Sequence, residues 1–360
     1  MWPNKKLIEL TGLEHPIIQA PMAGASGTAM AIAVSEQGAL GSLPCAMLDT
    51  TTLDAQITAF RKSCSKPVNL NFFCHKAQTS DAGINAKWKQ QLTQYYDELE
   101  LDSSLDTPAA SRKPFDEAMC CIVEEQKPDV VSFHFGLPDQ QLLERVKRSG
   151  SVVISSATTV EEAIWLEASG CDAIIAQGYE AGGHRGMFLA DNIQTQAGIM
   201  ALLPQVVDAV NIPVIAAGAI TDGRGIVAAL ALGAAGVQIG SAYLLTPESL
   251  ISSLHRKALL DARDDNTALT NLFSGKPARG LVNRLMQELG PMSPYTPVFP
   301  TAGAALAPLK SVAEKTGSAD FSSLWAGQSA ALARQMSASE LTRTLIRETR
   351  LCLDSINTRL

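Results

Sequence analysis

The side chains able to move a proton or hold an anion fall in a few short stretches. Gln19-Ala20-Pro21-Met22-Ala23-Gly24 closes one apolar run, and Asn69-Leu70-Asn71 lies inside another. Ser132-Phe133-His134-Phe135-Gly136 comes next, then the long run from Ala176 to Gly186, which carries Gln177, Gly182 and His184. An imidazole titrates near neutral pH, so His184 and His134 are the candidates for general acid–base work. Each has a plain alternative: His134 between two Phe as a satisfied buried histidine, His184 as a loop residue that orders backbone. Polar groups are costly at the ends of buried apolar runs unless paired, so Asn71, His134 and Gln177 point to a ligand or a polar network. Two turns of small residues follow, Ala217 to Gly225 and Gln238-Ile239-Gly240-Ser241. Backbone N–H groups and the positive end of a short helix at such turns hold phosphate, although glycines also serve tight turns. His15, His75 and His255 lack such context and read as ordinary. No His/Cys/Asp/Glu grouping has metal-ligand spacing, so no metal is expected.

Chemistry at these places needs a frame to carry it. Short apolar runs bounded by Gly or Pro alternate with helical stretches, the pattern of βαβ units around a parallel sheet. The runs are Pro16–Met22, Ala39–Cys45, Val68–Phe73, Val130–Phe135, Ser151–Ala157, Ala173–Gly178, Val214–Ala219 and Gly236–Ser241. Gly38 and Gly170 sit where helices should stop, and Thr159-Val-Glu-Glu162 matches a capping box. Eight strands in series predict the α/β class and a (β/α)8 TIM barrel. An open doubly wound sheet is the rival, but the loop Ala23-Gly24-Ala25-Ser26-Gly27 lacks dinucleotide-fingerprint spacing.

Two stretches break the repeat. Ile84–Leu101 and Phe115–Glu125 read as helices between the third and fourth strands, joined by a link near Ser103–Lys113. After the eighth strand, a helical and irregular excursion with a Pro- and Gly-rich part, Leu289–Leu309, is expected to cover the C-terminal mouth and shape a pocket. The expected organisation is residues 1–246 as barrel, 247–327 as inserted covering subdomain, and 328–360 as the helix, Ser337–Ile356, that completes it.

The bulk numbers agree with one large decorated domain: 360 residues, 46% hydrophobic and 18% charged. A net charge of −7 argues against nucleic acid as partner. Seven scattered Cys without framework spacing suggest reduced thiols. No signal-peptide h-region or ~18-residue apolar span is read from the sequence, so a cytoplasmic protein that does not enter membranes is expected. Homo-oligomerisation stays open.

QAPMAG at the first strand, SFHFG at the fourth, AQGYEAGGHRG after the sixth and AAGAITDGRG after the seventh resemble the nitronate monooxygenases, once called 2-nitropropane dioxygenases. The match runs in register from about Pro16 to Tyr243. The resemblance implies non-covalent FMN. On it, Ala20, Pro21 and Met22 lie along the isoalloxazine, and Asn71 and Gln177 hydrogen-bond its polar edge. Gly182, Gly218 and Ala219, with Gln238, Ile239, Gly240 and Ser241, hold the ribityl phosphate. Trp325-Ala326-Gly327-Gln328 returns to the cofactor. His184 is then the base toward a nitroalkane or the partner of a nitronate, with His134 beside it. The implied reaction is oxidation of propionate 3-nitronate or a similar alkyl nitronate by O2, breaking the C–N bond to give an aldehyde acid and nitrogen oxides. Ala219 departs from the family's usual second Gly, which a negative φ would accommodate. Two other readings stay open: an FMN-dependent NAD(P)H reductase of a quinone or enoyl thioester, and a non-catalytic FMN-binding module.

Overall fold

In the computed structural model, residues 2–76, 79, 81–102 and 112–358 are described; most of the Ser103–Lys113 link lies outside them. Eight short parallel strands form the frame: β1 (Ile17–Gln19), β2 (Gly41–Pro44), β3 (Val68–Phe73), β4 (Val130–His134), β5 (Val152–Ala157), β6 (Ala173–Gln177), and, after the outlying β7 (Gly183–His184), β8 (Val214–Ala217) and β9 (Gly236–Ile239). Their order is β1-β9-β8-β6-β5-β4-β3-β2, and a parallel bridge from Ile18 to Leu40 closes the ring. The TIM barrel expected from the alternating runs is present. Its strands read as apolar runs because a parallel strand in a closed barrel is covered on both faces.

The helices that precede and connect them are α1 (Lys6–Thr11), before β1, then α2 (Thr28–Ser35), α3 (Thr50–Ser63), α4 (Ala82–Glu98), α5 (Glu117–Gln126), α6 (Gln140–Arg148), α7 (Val160–Ala168), α8 (Ile199–Ala209) and α9 (Gly223–Ala231). Asp49, Asp81, Asp116, Asp139 and Asp222 each cap the helix that follows with a carboxylate on its first N–H groups. α1 plugs the bottom, where Leu7 and Leu13 join the inward-facing Ile18, Ile154 and Ile215. At Thr159 the expected capping box is only half formed. Its side chain accepts from Glu162 N, but the Glu162 carboxylate turns to Thr158 and to the backbone N–H groups of Phe188 and Leu189. A four-bonded carboxylate with no exposed surface thereby ties the α7 start to the chain just after His184.

The excursion holds α10 (Ser253–Leu260), β10 (Thr267–Thr270), β11 (Ala278–Leu281), α11 (Arg284–Leu289) and α12 (Ala307–Lys315). Its strands were not anticipated from sequence. β10 and β11 pair antiparallel, and β7 adds to β11 with Ala278 opposite His184. The covering lobe also draws on a distant part of the chain. Trp88, Leu92, Tyr95 and Tyr96 of α4 share one apolar cluster with Leu272, Leu285, Met286, Leu309 and Phe321. The last helix, α13 (Ala338–Asn357), starts with a complete capping box at Ser337 and Glu340 and lies against α9. That contact is close, since a Cβ on Gly223 would lie 2.5 Å from Glu348 backbone. No described helix is long and apolar enough to cross a membrane.

Candidate active site

Where the strands end at the C-terminal mouth, a cavity of ≈ 510 Å³ opens, bounded above by the excursion. That volume lies in the range of small-molecule and cofactor sites. Ala20, Pro21, Met22, Asn71, His134, Gln177, Gly182, His184, Gly218, Ala219, Gln238, Gly240 and Ser241 all line it. Ile239, in β9, is 1% exposed and does not. From that position it can contribute backbone only.

His184 is held by β7 and β11 rather than by a loose loop. Its backbone carbonyl accepts from Gln177 Nε2 (2.9 Å) and from His134 Nε2 (3.2 Å). A carbonyl only accepts, so His134 carries its proton on Nε2, and its Nδ1 accepts from Ser156 Oγ at 3.0 Å. Both His134 nitrogens are therefore engaged, and its ring fixes the hairpin that bears His184. Gln177 is engaged likewise, since its Oε1 accepts from Gly186 N at 2.8 Å. Asn71 Nδ2 donates to Ser132 Oγ at 2.9 Å.

The imidazole of His184 meets Ser274 Oγ through Nε2 at 2.9 Å, and Ser274 Oγ donates to Lys276 O at 3.2 Å. A hydroxyl has one proton, so Ser274 accepts from His184 Nε2–H, leaving Nδ1 as the basic nitrogen. The rings of Phe299, Trp325, Phe135 and Phe73 surround it at 5.4, 5.6, 6.0 and 6.3 Å. Burial pushes the His184 pKa well below its usual range, and the nearby charge of Arg112 deepens the shift. At neutral pH this group is an uncharged acceptor.

His75 and His255, read from sequence as ordinary, are both more than nine-tenths buried. His75 packs edge-on to Phe299 at 4.8 Å, and His255 lines the cavity. Burial drives His75, His134 and His255 each down to about 4. Below pH ~6.5 the unfolded chain takes up protons that the fold refuses, so stability is present above that pH and falls as pH drops toward 4. A melting temperature flat from pH 8 to 7 and declining between pH 6.5 and 4.5, by calorimetry, is the expected outcome. A flat profile across the whole range would contradict it.

The other end of the cavity suits an anion. Asp222 Oδ1 accepts from Arg224 N (2.9 Å) and Gly225 N (3.3 Å), so the positive end of α9 is already covered. The 3-10 turn Ser241–Leu245, preceded by Gly240, has no side-chain cap. Among the described residues, the N–H groups of Gly218, Ala219, Gly240 and Ser241 donate to no protein group. Gly218 has φ 118°, open only to glycine, while Ala219 has φ 53°. The negative φ expected of Ala219 is not what the chain adopts: the turn needs the left-handed conformation, and alanine accepts a cost of ~1–2 kcal/mol to enter it. Gln238 Oε1 is buried with no partner among the described residues, as expected of an atom awaiting a ligand donor. Residues 325–328 do return here: Gly280 bridges Trp325, and Gly327 N donates to Ser241 Oγ at 2.9 Å.

Sequence reasoning missed the buried cations. Arg185 is 0% exposed and donates to Gln177 O and Gln196 Oε1 at 2.8 Å and to Gly178 O. Arg279 reaches Tyr179 O at 3.1 Å. Three consecutive carbonyls below His184 are thus held by guanidinium groups. The adjacency of His184 and Arg185 was the available signal, but an arginine is ordinarily an exposed residue.

The sequence model of the nitronate monooxygenase family matches residues 4–348. The chain is 40% identical to a nitronate monooxygenase of Pseudomonas aeruginosa, covering 96% of this chain and 99% of that one. It is 39% identical to one of Paraburkholderia phytofirmans, covering 98% and 97%. Among solved structures, nitroalkane oxidase from Streptomyces ansochromogenes superposes with a TM-score of 0.88 at 37% identity, covering 98% and 99%. FabK from Thermotoga maritima follows at 0.74 and 26%, covering 98% of each chain. An extended family match, high-coverage relatives and a shared barrel agree: the chain belongs to the nitronate monooxygenase family, whose members are flavin-dependent oxidoreductases.

Proposed function

We propose that this enzyme oxidises alkyl nitronates such as propionate 3-nitronate with O2, using FMN bound in the barrel mouth. The observation that carries the reading is one cavity with a neutral, oriented imidazole at one end and a cradle of free N–H groups at the other. The residues fit the group. Gly218, Ala219, Gly240 and Ser241 would hold the phosphate by backbone N–H, with Gly182 and Gln238 beside them. At Gly240 an added Cβ would make only ordinary contact, 3.5 Å from Ala20 Cβ, so the floor there is not crowded by protein. Ala20, Pro21 and Met22 would lie along the isoalloxazine, and the Asn71 and Gln177 amides would meet its polar edge. Bound there, FMN supplies electron transfer between the nitronate and O2, after which the C–N bond breaks to an aldehyde or oxo acid plus nitrite or nitrate.

The protein's own groups do the rest. His184 Nδ1 takes the carbon-bound proton of a neutral nitroalkane; toward a preformed nitronate, the bound anion would itself raise the imidazole's pKa from its depressed value, so that a proton on Nδ1 could be donated to a nitro oxygen. Ser274, bonded to Nε2, and the β7–β11 pairing hold the ring in place, and the aromatic wall excludes water. The test is direct. The purified protein should be yellow, release flavin on heating, and consume O2 with propionate 3-nitronate. NADH added anaerobically should leave the flavin oxidised. Rapid bleaching by NADH without nitronate-driven O2 uptake would favour the reductase reading, and a colourless protein that takes up no FMN would end both.

A further inference from the structure

On the β3–β4 side of the barrel, across the sheet order from the β8–β9 cradle, a second charged feature enters the cavity. Arg112, just before α5, lines it, with its guanidinium 5.8 Å from the centroid of Phe299. The imidazole of His184 meets the same ring edge-on at 5.4 Å. Lys276 stands 4.7 Å over the neighbouring ring, Phe135. Phe73, Phe135 and Phe299 form one buried cluster against His184; Arg112 lines the cavity beside it, and Lys276 stands behind on Phe135 without lining the cavity itself.

Among the described residues, neither cation has an ion-pair partner. Burial alone accounts for the perturbation of Arg112. The one carboxylate felt by Lys276 is Glu162, whose oxygens are already bonded to Thr158, Phe188 and Leu189. A largely buried guanidinium with no ion-pair partner among the described residues is expensive to maintain and calls for an anion. The cofactor phosphate would bind across the barrel, so the anion here must belong to the substrate.

Resting on the nitronate reading above, we propose that Arg112, backed by Lys276, is a specificity-determining residue that anchors the carboxylate of nitronates bearing a second negative charge. The nitronate end lies against His184 while the carboxylate, a few carbon atoms away, takes the bidentate fork of Arg112. An uncharged alkyl tail would leave that guanidinium desolvated and unpaired, and so bind more weakly.

The experiment compares propionate 3-nitronate with propyl-1-nitronate on the FMN-loaded enzyme and its Arg112→Gln and Arg112→Lys variants. Wild type should favour the carboxylate by kcat/KM. In Arg112→Gln the ratio should fall ~10- to 100-fold, carried by KM, the size of a lost charge-assisted hydrogen bond. Arg112→Lys should restore part of it. Calorimetric titration with butyrate reads the anchor without turnover: wild type should bind it, 1-butanol should not bind, and Arg112→Gln should lose at least ~10-fold in affinity. Equal use of the two nitronates by wild type, or an unchanged ratio in Arg112→Gln, overturns the assignment. Failure of wild type to bind butyrate overturns it even if the variants do not fold. If neither nitronate is oxidised, the functional reading falls, while butyrate binding still decides the role of Arg112.

Discussion

Replacing His184 with asparagine should slow the oxidation of a neutral nitroalkane by at least ~100-fold, the ordinary worth of a positioned general base. The same variant should lose only ~10-fold with a preformed nitronate, from which no carbon-bound proton has to be removed. Asparagine keeps an N–H within reach of Ser274, so the β7–β11 hairpin should survive, and unchanged flavin content would show it. The pH profile follows from the depressed pKa of His184. A base whose pKa lies well below its usual value stays unprotonated as pH falls through 6.5, so kcat/KM should hold from pH 8 to 6.5 and drop only in more acidic solution. Steady-state oxygen uptake with nitroethane and with its nitronate measures both. Equal losses on the two substrates would mean that the imidazole binds rather than deprotonates, and no loss would move the chemistry away from this residue.

The frame was legible because its physics is local. A barrel strand buried on both faces has to be a short apolar run, and Gly or Asp has to mark where the next turn and helix begin. Each of the eight strand runs therefore overlaps an observed strand, and Ser337 announces α13 through a pattern four residues long. β7, β10 and β11 were not legible. β7 is two residues long and exists only because Ala278 lies opposite His184. β10 and β11, TALT and ARGL, carry polar residues that a sheet tolerates when a neighbouring lobe covers it. The helix at Ile84–Leu101 was readable as a helix, but no local signal shows that Trp88 and Tyr95 pack against Leu309 and Phe321, more than two hundred residues away.

The candidate site divides the same way. Residues whose type is unusual for their place, such as Asn71 at the top of an apolar strand, line the cavity mouth. What those side chains bond to was hidden: His134 and Gln177 both turn toward the carbonyl of His184. Arg112, Arg185 and Lys276 were invisible because a lone basic residue looks solvated until the fold buries it. Ala219 carries no mark of its left-handed backbone. Its conformation is imposed by the turn between β8 and α9, whose geometry only the closed barrel determines.

That turn yields the second large effect. Gly218→Asp should weaken FMN binding by ~100- to 1,000-fold, while Ala219→Gly should leave it intact. Gly218 sits at φ 118°, where any side chain is strained, and an added Cβ would come 3.3 Å from Ala181 N. Strain of ~1–3 kcal/mol, combined with a carboxylate facing a phosphate across a few ångströms of half-buried space, accounts for two to three decades in affinity at ~1.4 kcal/mol each. Ala219→Gly works in the opposite sense. It releases the ~1–2 kcal/mol that alanine spends at φ 53° and gives back ~0.5–1 kcal/mol through the greater freedom of glycine in the unfolded chain. Its melting temperature should therefore barely move. Flavin retained through gel filtration, and the dissociation constant from quenching of flavin fluorescence on titration of the apoprotein, separate the two variants. Tight FMN binding by Gly218→Asp would remove this turn from the phosphate cradle, because no anion site built on these N–H groups could accept both the strain and the charge.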